Sequence, residues 1–250
     1  MRKPLAALVL VTVSLLAGAA HANPIIMATG VDWGRGGSLW IREDSQDVQA
    51  YFAGVIFISL TTGGHVYNRD TLCVDLFTDI FLGTQYESTV WSPNQIPGKH
   101  LDRVGWLIDN VLQPTQSSNP QSLLPQADWV NSAAQGEALQ FAIWDIVHDN
   151  GDGFSAGRVQ AVTDPAHPTD PTVLAWAQTY EQVSLNESSV WAYIYENVDM
   201  GNGQQVQMLA GPRFFDGGPT PPPAPETKTL LLTGTALVAI GVFGKRKRQA

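Results

Sequence analysis

One thiol and one carboxamide stand out along this chain. Cys73 is its single cysteine. It lies in Thr71-Leu72-Cys73-Val74-Asp75-Leu76, an apolar run predicted to be a strand, with Leu72, Val74 and Leu76 on one face and Cys73, Asp75 and Phe77 on the other. With no second cysteine it cannot form an internal disulfide, so it is either a nucleophile or a packing residue. Gln140 lies in Glu137-Ala138-Leu139-Gln140-Phe141-Ala142-Ile143-Trp144-Asp145. On a helix Leu139, Ile143, Ile146 and Val147 form an apolar stripe, and Gln140 falls at its edge. A primary amide buried there costs free energy unless it is hydrogen-bonded. Three further residues could assist a reaction. Asp75 shares the Cys73 face, Asp145 follows the glutamine segment, and His148 lies two helical turns beyond Gln140, where an imidazole can serve as a base. A His and an Asp near a helix end also serve simply as caps or as partners of its dipole.

These two segments resemble the thioester domains of bacterial surface adhesins. In that family a cysteine in an apolar-Cys-apolar strand joins a glutamine in a Gln-x-Ala-Ile/Val-Trp motif. The matching residues are Leu72-Cys73-Val74 and Gln140-Phe141-Ala142-Ile143-Trp144, 67 positions apart from Cys73 to Gln140. Leu139 stands where the family prefers a threonine. The resemblance implies a Cys73–Gln140 thioester, made by attack of the thiol on the carboxamide with loss of ammonia. Such a bond is a stored electrophile, open to an amine or hydroxyl on another protein or polysaccharide. It reacts once per molecule, so the resemblance implies covalent adhesion rather than turnover, and not an enzyme. Lys99 is the only lysine between the two ends of the chain, which suits a protein carrying an amine-sensitive bond.

The elements that must position this pair can be read from periodicity. Ala50 to Leu60 is β-branched and aromatic and leads to a Gly63-Gly64 turn, with strand character again in His65 to Tyr67 and Thr71 to Ile80. Leu101, Val104, Leu107, Ile108, Val111 and Leu112 recur at helical spacing and stop before Pro114. A second helix is expected from about Asn131 to His148 and a third after Pro171. Val190 to Tyr195 and Gln205 to Leu209 return to strand. Strands lead, helices fill the middle and strands close. The expectation is an α+β fold, a mostly antiparallel β-sandwich or barrel with an inserted helical subdomain.

The two ends read as addresses. Residues 1–22 carry a basic start (Arg2, Lys3), an apolar run from Leu5 to Ala20 and the small-x-small site Ala20-His21-Ala22, which is the order of a signal peptide. No cysteine follows that site, which argues against a lipoprotein signal. Residues 23–218 read as one globular domain. Residues 219–228 are a proline-rich spacer. Residues 229–250 carry an apolar run from Thr229 to Gly244, barely long enough to span a bilayer, and the basic cluster Lys245-Arg246-Lys247-Arg248. The tail resembles the PEP-CTERM sorting signal: Pro225 and Glu226 match, and Thr227 stands in place of the last proline. That resemblance implies transient membrane insertion and processing by an exosortase-type transpeptidase. The expected location is the cell envelope, cell surface or extracellular matrix.

Composition narrows the alternatives. Hydrophobic residues make up 44% and charged residues 15% of the chain, which is globular rather than disordered composition. The net charge of −9 is concentrated in the body, because half of the 14 basic residues lie in the two ends. An acidic body does not suit nucleic acid. Asp149-Asn150-Gly151-Asp152-Gly153 has the look of a calcium loop, but no bidentate glutamate follows in register, and a helix-ending turn is the simpler account. The histidines have no metal-ligand spacing, so no metal and no cofactor are expected. Two other functions fit the same residues. One is a non-covalent module for polysaccharide or protein in which Cys73 is an inert buried thiol. The other is a secreted hydrolase with a Cys73/His148 pair, for which no oxyanion loop is evident.

Overall fold

The computed structural model describes residues 23–112 and 129–213, and the expected signal peptide, spacer and sorting tail lie outside these residues. The described chain is α+β, with seven strands and three α-helices. The strands are β1 (Ile25–Glu43), β2 (Gln46–Thr62), β3 (His65–Cys73), β4 (Gln85–Trp91), β5 (Val159–Ala161), β6 (Ala192–Asp199) and β7 (Leu209–Pro212). The helices are α1 (Leu101–Asn110), α2 (Ala133–Asp149) and α3 (Pro171–Ser184), all between β4 and β6 in sequence.

Every strand pairing is antiparallel. The order β2-β3-β7-β6-β4-β1 closes on itself because β1 also pairs with β2. The closure lies at the start of β1, where Ile25 is opposite both Thr61 of β2 and Glu87 of β4. A closed ring leaves no strand edge there, and its interior is filled by side chains such as Ile26, Ile58, Leu60, Tyr86 and Tyr195, all fully buried. The far end of β1 runs on as a long hairpin with β2 and pairs with the short β5 at Ile41–Glu43.

The two long strands that form this hairpin are not regular. β1 slips register between Ala28 and Gly30, between Val31 and Gly36, and between Gly37 and Leu39. The glycines and Asp32 in this stretch break the alternation, which is why the sequence pattern did not mark β1 as a strand. The irregularity makes room for α2. A Cβ on Gly136, in the first turn of α2, would lie 1.9 Å from the Arg35 carbonyl oxygen, so only glycine lets the helix approach β1 this closely. Ser132 caps the helix by accepting the Gln135 N–H at 3.3 Å, and Asn150 ends it in the left-handed region at φ 66°. From Ala138 to Val147 every residue of α2 is buried. The helix is therefore central, wrapped by the hairpin, α1 and α3, and its apolar stripe extends all round.

The strand expected from Thr71 to Ile80 is shorter in the structure. β3 stops at Cys73, and residues 74–80 have no regular structure, with a bend at Leu76 and Phe77. The reason lies in its neighbours. Pairing with β2 ends at Ile56–Thr71, and pairing with β7 ends at Cys73–Leu209, followed by one more bond from the Val74 N–H to the Met208 carbonyl at 2.8 Å.

Candidate functional site: the Cys73–Gln140 pair and its groove

At the end of β3, one side of the Cys73 backbone has lost its strand partner. Beyond Ile56, β2 turns toward β1, with Gly54 opposite Gly36. The side chain of Gln140 takes the vacated place. The Cys73 N–H donates to Gln140 Oε1 at 2.9 Å, and Gln140 Nε2 donates to the Cys73 carbonyl at 2.6 Å. The carboxamide thus pairs with one residue's main chain as a neighbouring strand would. Gln140 is fully buried and Cys73 is 8% exposed. The buried amide is accordingly satisfied, and it is held against the residue that carries the only thiol.

The thiol is protonated at ordinary pH. Burial, with smaller contributions from the carboxylates of Asp79 and Asp75, pushes Cys73 up to about 12. Its reactivity therefore depends on proximity rather than on a standing thiolate. Cys73 nevertheless has an outlet. It lines a groove of about 660 Å³, together with Asp75, Asp79 and Trp144 and an aromatic wall from the hairpin. In that wall Trp33 stands edge-on to Phe52 at 5.2 Å between ring centres, and Trp33 and Tyr51 are 64% and 89% exposed. Trp144, one turn after Gln140, is buried, and its indole N–H has no hydrogen-bond partner among the described residues. Trp144 lines the groove, so this donor is available to an acceptor that enters it.

The three assisting residues named from sequence fall in different places. Asp75 lines the groove with Cys73. Its side chain accepts the Phe77 N–H at 3.1 Å, and its carbonyl accepts from the Gln207 side chain, so the turn after β3 is tied down on both sides. His148 does not line the groove. Its Nε2 accepts the Leu76 N–H at 3.3 Å and lies 4.0 Å from Asp75 Oδ1, with Phe77 edge-on at 4.7 Å. Burial lowers its proton affinity against the pull of Asp75, which keeps the imidazole neutral and accepting. It positions the turn that carries Asp75. Asp145 points elsewhere, toward the turn after α2, where its Oδ2 accepts the Gly153 N–H at 3.3 Å. It lies five residues past Gln140, on a different face of α2, which is the physical reason the structure does not bring it to the pair.

Sequence reasoning missed the parts of the site that come from the hairpin and from Asp79. The aromatic wall has a sequence signal, since Trp33, Tyr51 and Phe52 lie in or beside the irregular stretch of the hairpin, but only the folded structure shows that they line one groove. Compared with protein-family models, curated proteins and solved structures, the chain has no match.

Proposed function

We propose that this chain is an exported surface or matrix protein in which Cys73 and Gln140 form a thioester, and that it attaches covalently to amines or hydroxyls on a protein or polysaccharide. The observation that carries this reading is the two-bond clasp between the Gln140 carboxamide and the Cys73 main chain, at 2.9 and 2.6 Å, inside the core but bordering a groove.

Each step balances. Sγ of Cys73 bonds to the carbonyl carbon of Gln140, the carbon–nitrogen bond breaks, and the thiol proton leaves with the nitrogen as ammonia. The carboxamide is inert in water, and a fixed geometry supplies the effective concentration that overcomes this. Asp75, on the groove side, is the carboxylate at hand to relay the proton. The Trp144 indole N–H is the donor at hand for the oxyanion. In the second step an incoming amine forms an amide with the same carbon, and Cys73 departs as a thiol.

The high proton affinity of Cys73 bears on storage. A thiolate that is hard to form is a poorer leaving group, so a buried thioester resists stray water until a nucleophile occupies the groove. The experiment for this reading is capture. Incubation with a lysine-containing peptide should give a covalent adduct, mapped to Gln140 by peptide mass spectrometry, and Cys73→Ala should give none. An adduct at another residue would refute the assignment.

A second reading is supported by the exposed Trp33 and Tyr51 on the groove wall. These aromatics suit non-covalent stacking on a polysaccharide, with Cys73 as a packing residue. It gives reversible capture that survives Cys73→Ala.

A further inference from the structure

Charge is concentrated at a second place, away from the groove. Asp145 and Asp149 close α2 and Asp152 lies in the turn beyond, with carboxylate oxygens that all fall within 4.8 Å of one another. Calcium holds oxygens at about 2.4 Å, so two ligands on opposite sides of one ion stand about 4.8 Å apart. The three carboxylates therefore fit within a single coordination shell.

An acidic cluster alone says little, because turns gather solvated carboxylates without any ion. Here a second observation points inward. Asp145 is fully buried, and its Oδ1 has no hydrogen-bond donor among the described residues. Glu181 reaches Asp145 from α3. It is 8% exposed, its Oε1 also has no partner, and its carboxyl lies within hydrogen-bonding reach of Asp145. Two buried carboxyl groups thus face each other with no donor between them among the described residues, a gap that a proton, a water or a cation fills.

Arg103 is the neighbouring cation, and three of its five N–H donors go elsewhere. Nε donates to Ser184 Oγ at 3.0 Å, while the two terminal nitrogens donate to the carbonyls of Asn150 at 3.2 Å and Glu181 at 2.7 Å. It braces the turn and lowers the local charge without capping these carboxylates. Asp149 accepts the N–H groups of Arg158 and Val159 through Oδ2, at 2.8 and 2.7 Å.

We propose that Asp145, Asp149 and Asp152 form a binding site for one calcium ion at the C-terminal end of α2, with Glu181 beside Asp145 as an adjoining carboxyl group. An all-oxygen, all-carboxylate set selects a hard cation and disfavours zinc or copper. Calcium tolerates an irregular shell, whereas magnesium demands a tighter octahedron and gives up its water reluctantly. The negative end of the α2 dipole adds to the attraction. The turn Asp149–Gly153 has no glutamate at calcium-loop spacing, and the fold brings Glu181 of α3 up beside Asp145 instead. The ion would join α2 to the turn that follows it just beyond Gln140 and Trp144, holding fixed the helix that presents the carboxamide. This site does not depend on the thioester reading.

The test uses the full chain, stripped with a chelator and then titrated calorimetrically with calcium chloride. The expected result is one ion per chain, with a dissociation constant in the range of about 0.1–1 mM seen for extracellular sites. At ten times that constant the melting midpoint should rise by about 3–6 °C. Asp152→Asn should weaken calcium at least tenfold. Asp152 is exposed, so its variant should keep the metal-free midpoint and show that the fold is intact. No binding heat and no midpoint shift at about 10 mM calcium would overturn the proposal. So would an unchanged calcium response in Asp152→Asn, or an equal response to magnesium.

Discussion

The Gln140 carboxamide and the Cys73 main chain hold each other by two hydrogen bonds, at the point where β3 has lost its partner β2 and still has β7. A single side chain from the central helix completes the ladder. The bonds go to the backbone of Cys73, not to its sulfur, and this separates the structural role of Gln140 from the chemical role proposed for the thiol.

That separation makes the two obvious variants unequal in stability. Cys73→Ala keeps both hydrogen bonds and loses only a small buried side chain, at a cost of about 1 kcal/mol beyond the lost cross-link. Gln140→Ala leaves the N–H and carbonyl of Cys73 unpaired in the core and opens a cavity, at a cost of about 3–5 kcal/mol. Denaturant unfolding of both variants, each compared with the wild type after methylamine cleavage, measures the difference. Equal losses would show that the clasp contributes nothing.

Gly136 sets how closely α2 approaches β1. Gly136→Ala places a methyl 1.9 Å from the Arg35 carbonyl oxygen, and backbone cannot yield as a flexible side chain does. The helix must shift, at a cost of about 3 kcal/mol or more, and Gln140 moves with it. The expected outcome is a lower midpoint together with incomplete thioester formation, read as a mixture of two masses. A variant that is destabilised yet fully cross-linked would uncouple the helix position from the reaction.

Much of the scaffold could be read from periodicity, and the parts that could not have identifiable causes. α1 and α3 have regular apolar spacing or a proline at the first turn, and the structure places them at Leu101–Asn110 and Pro171–Ser184. Gln140 and Cys73 could be picked out because a buried amide and a lone thiol are each unusual. β1 escaped because its glycines and bulges erase the alternation that marks a strand. Its closure with β2 and β4 depends on partners far away in sequence. Asp145 misled for a related reason: closeness to Gln140 along the chain is not closeness in space on a helix. Glu181, which faces Asp145, is 36 positions further on, beyond any local pattern.

The thiol has a consequence at alkaline pH. Burial pushes Cys73 up to about 12, while an unperturbed thiol ionises near 9.0. Between these values the unfolded chain releases a proton that the folded chain keeps, so stability falls as pH rises through that window. The slope approaches about 1.4 kcal/mol per pH unit. Only a chain with a free thiol is subject to this. Gln140→Ala should therefore lose stability from pH 9 upward faster than the double variant Cys73→Ala/Gln140→Ala, in melting curves recorded side by side. Parallel curves would contradict the burial of the thiol.

The two ends carry a separate expectation. In its native host the mature protein should begin at Asn23 and lack the segment from Thr229 onward, as judged by terminal peptide mapping. A mature form that retains Lys245 to Arg248 would mark the tail as a plain membrane anchor.

The most direct measurement is the intact mass of the folded chain before and after methylamine, with thiol titration on the same samples. The thioester requires a mass one ammonia below that of the sequence and no reactive thiol. After treatment, one methylamine should be added and one thiol exposed, with the label on Gln140. Cys73→Ala should show neither change. A folded chain with its full sequence mass, unaltered by methylamine and carrying a thiol that titrates on unfolding, would contradict the covalent mechanism and leave Cys73 as a packing residue.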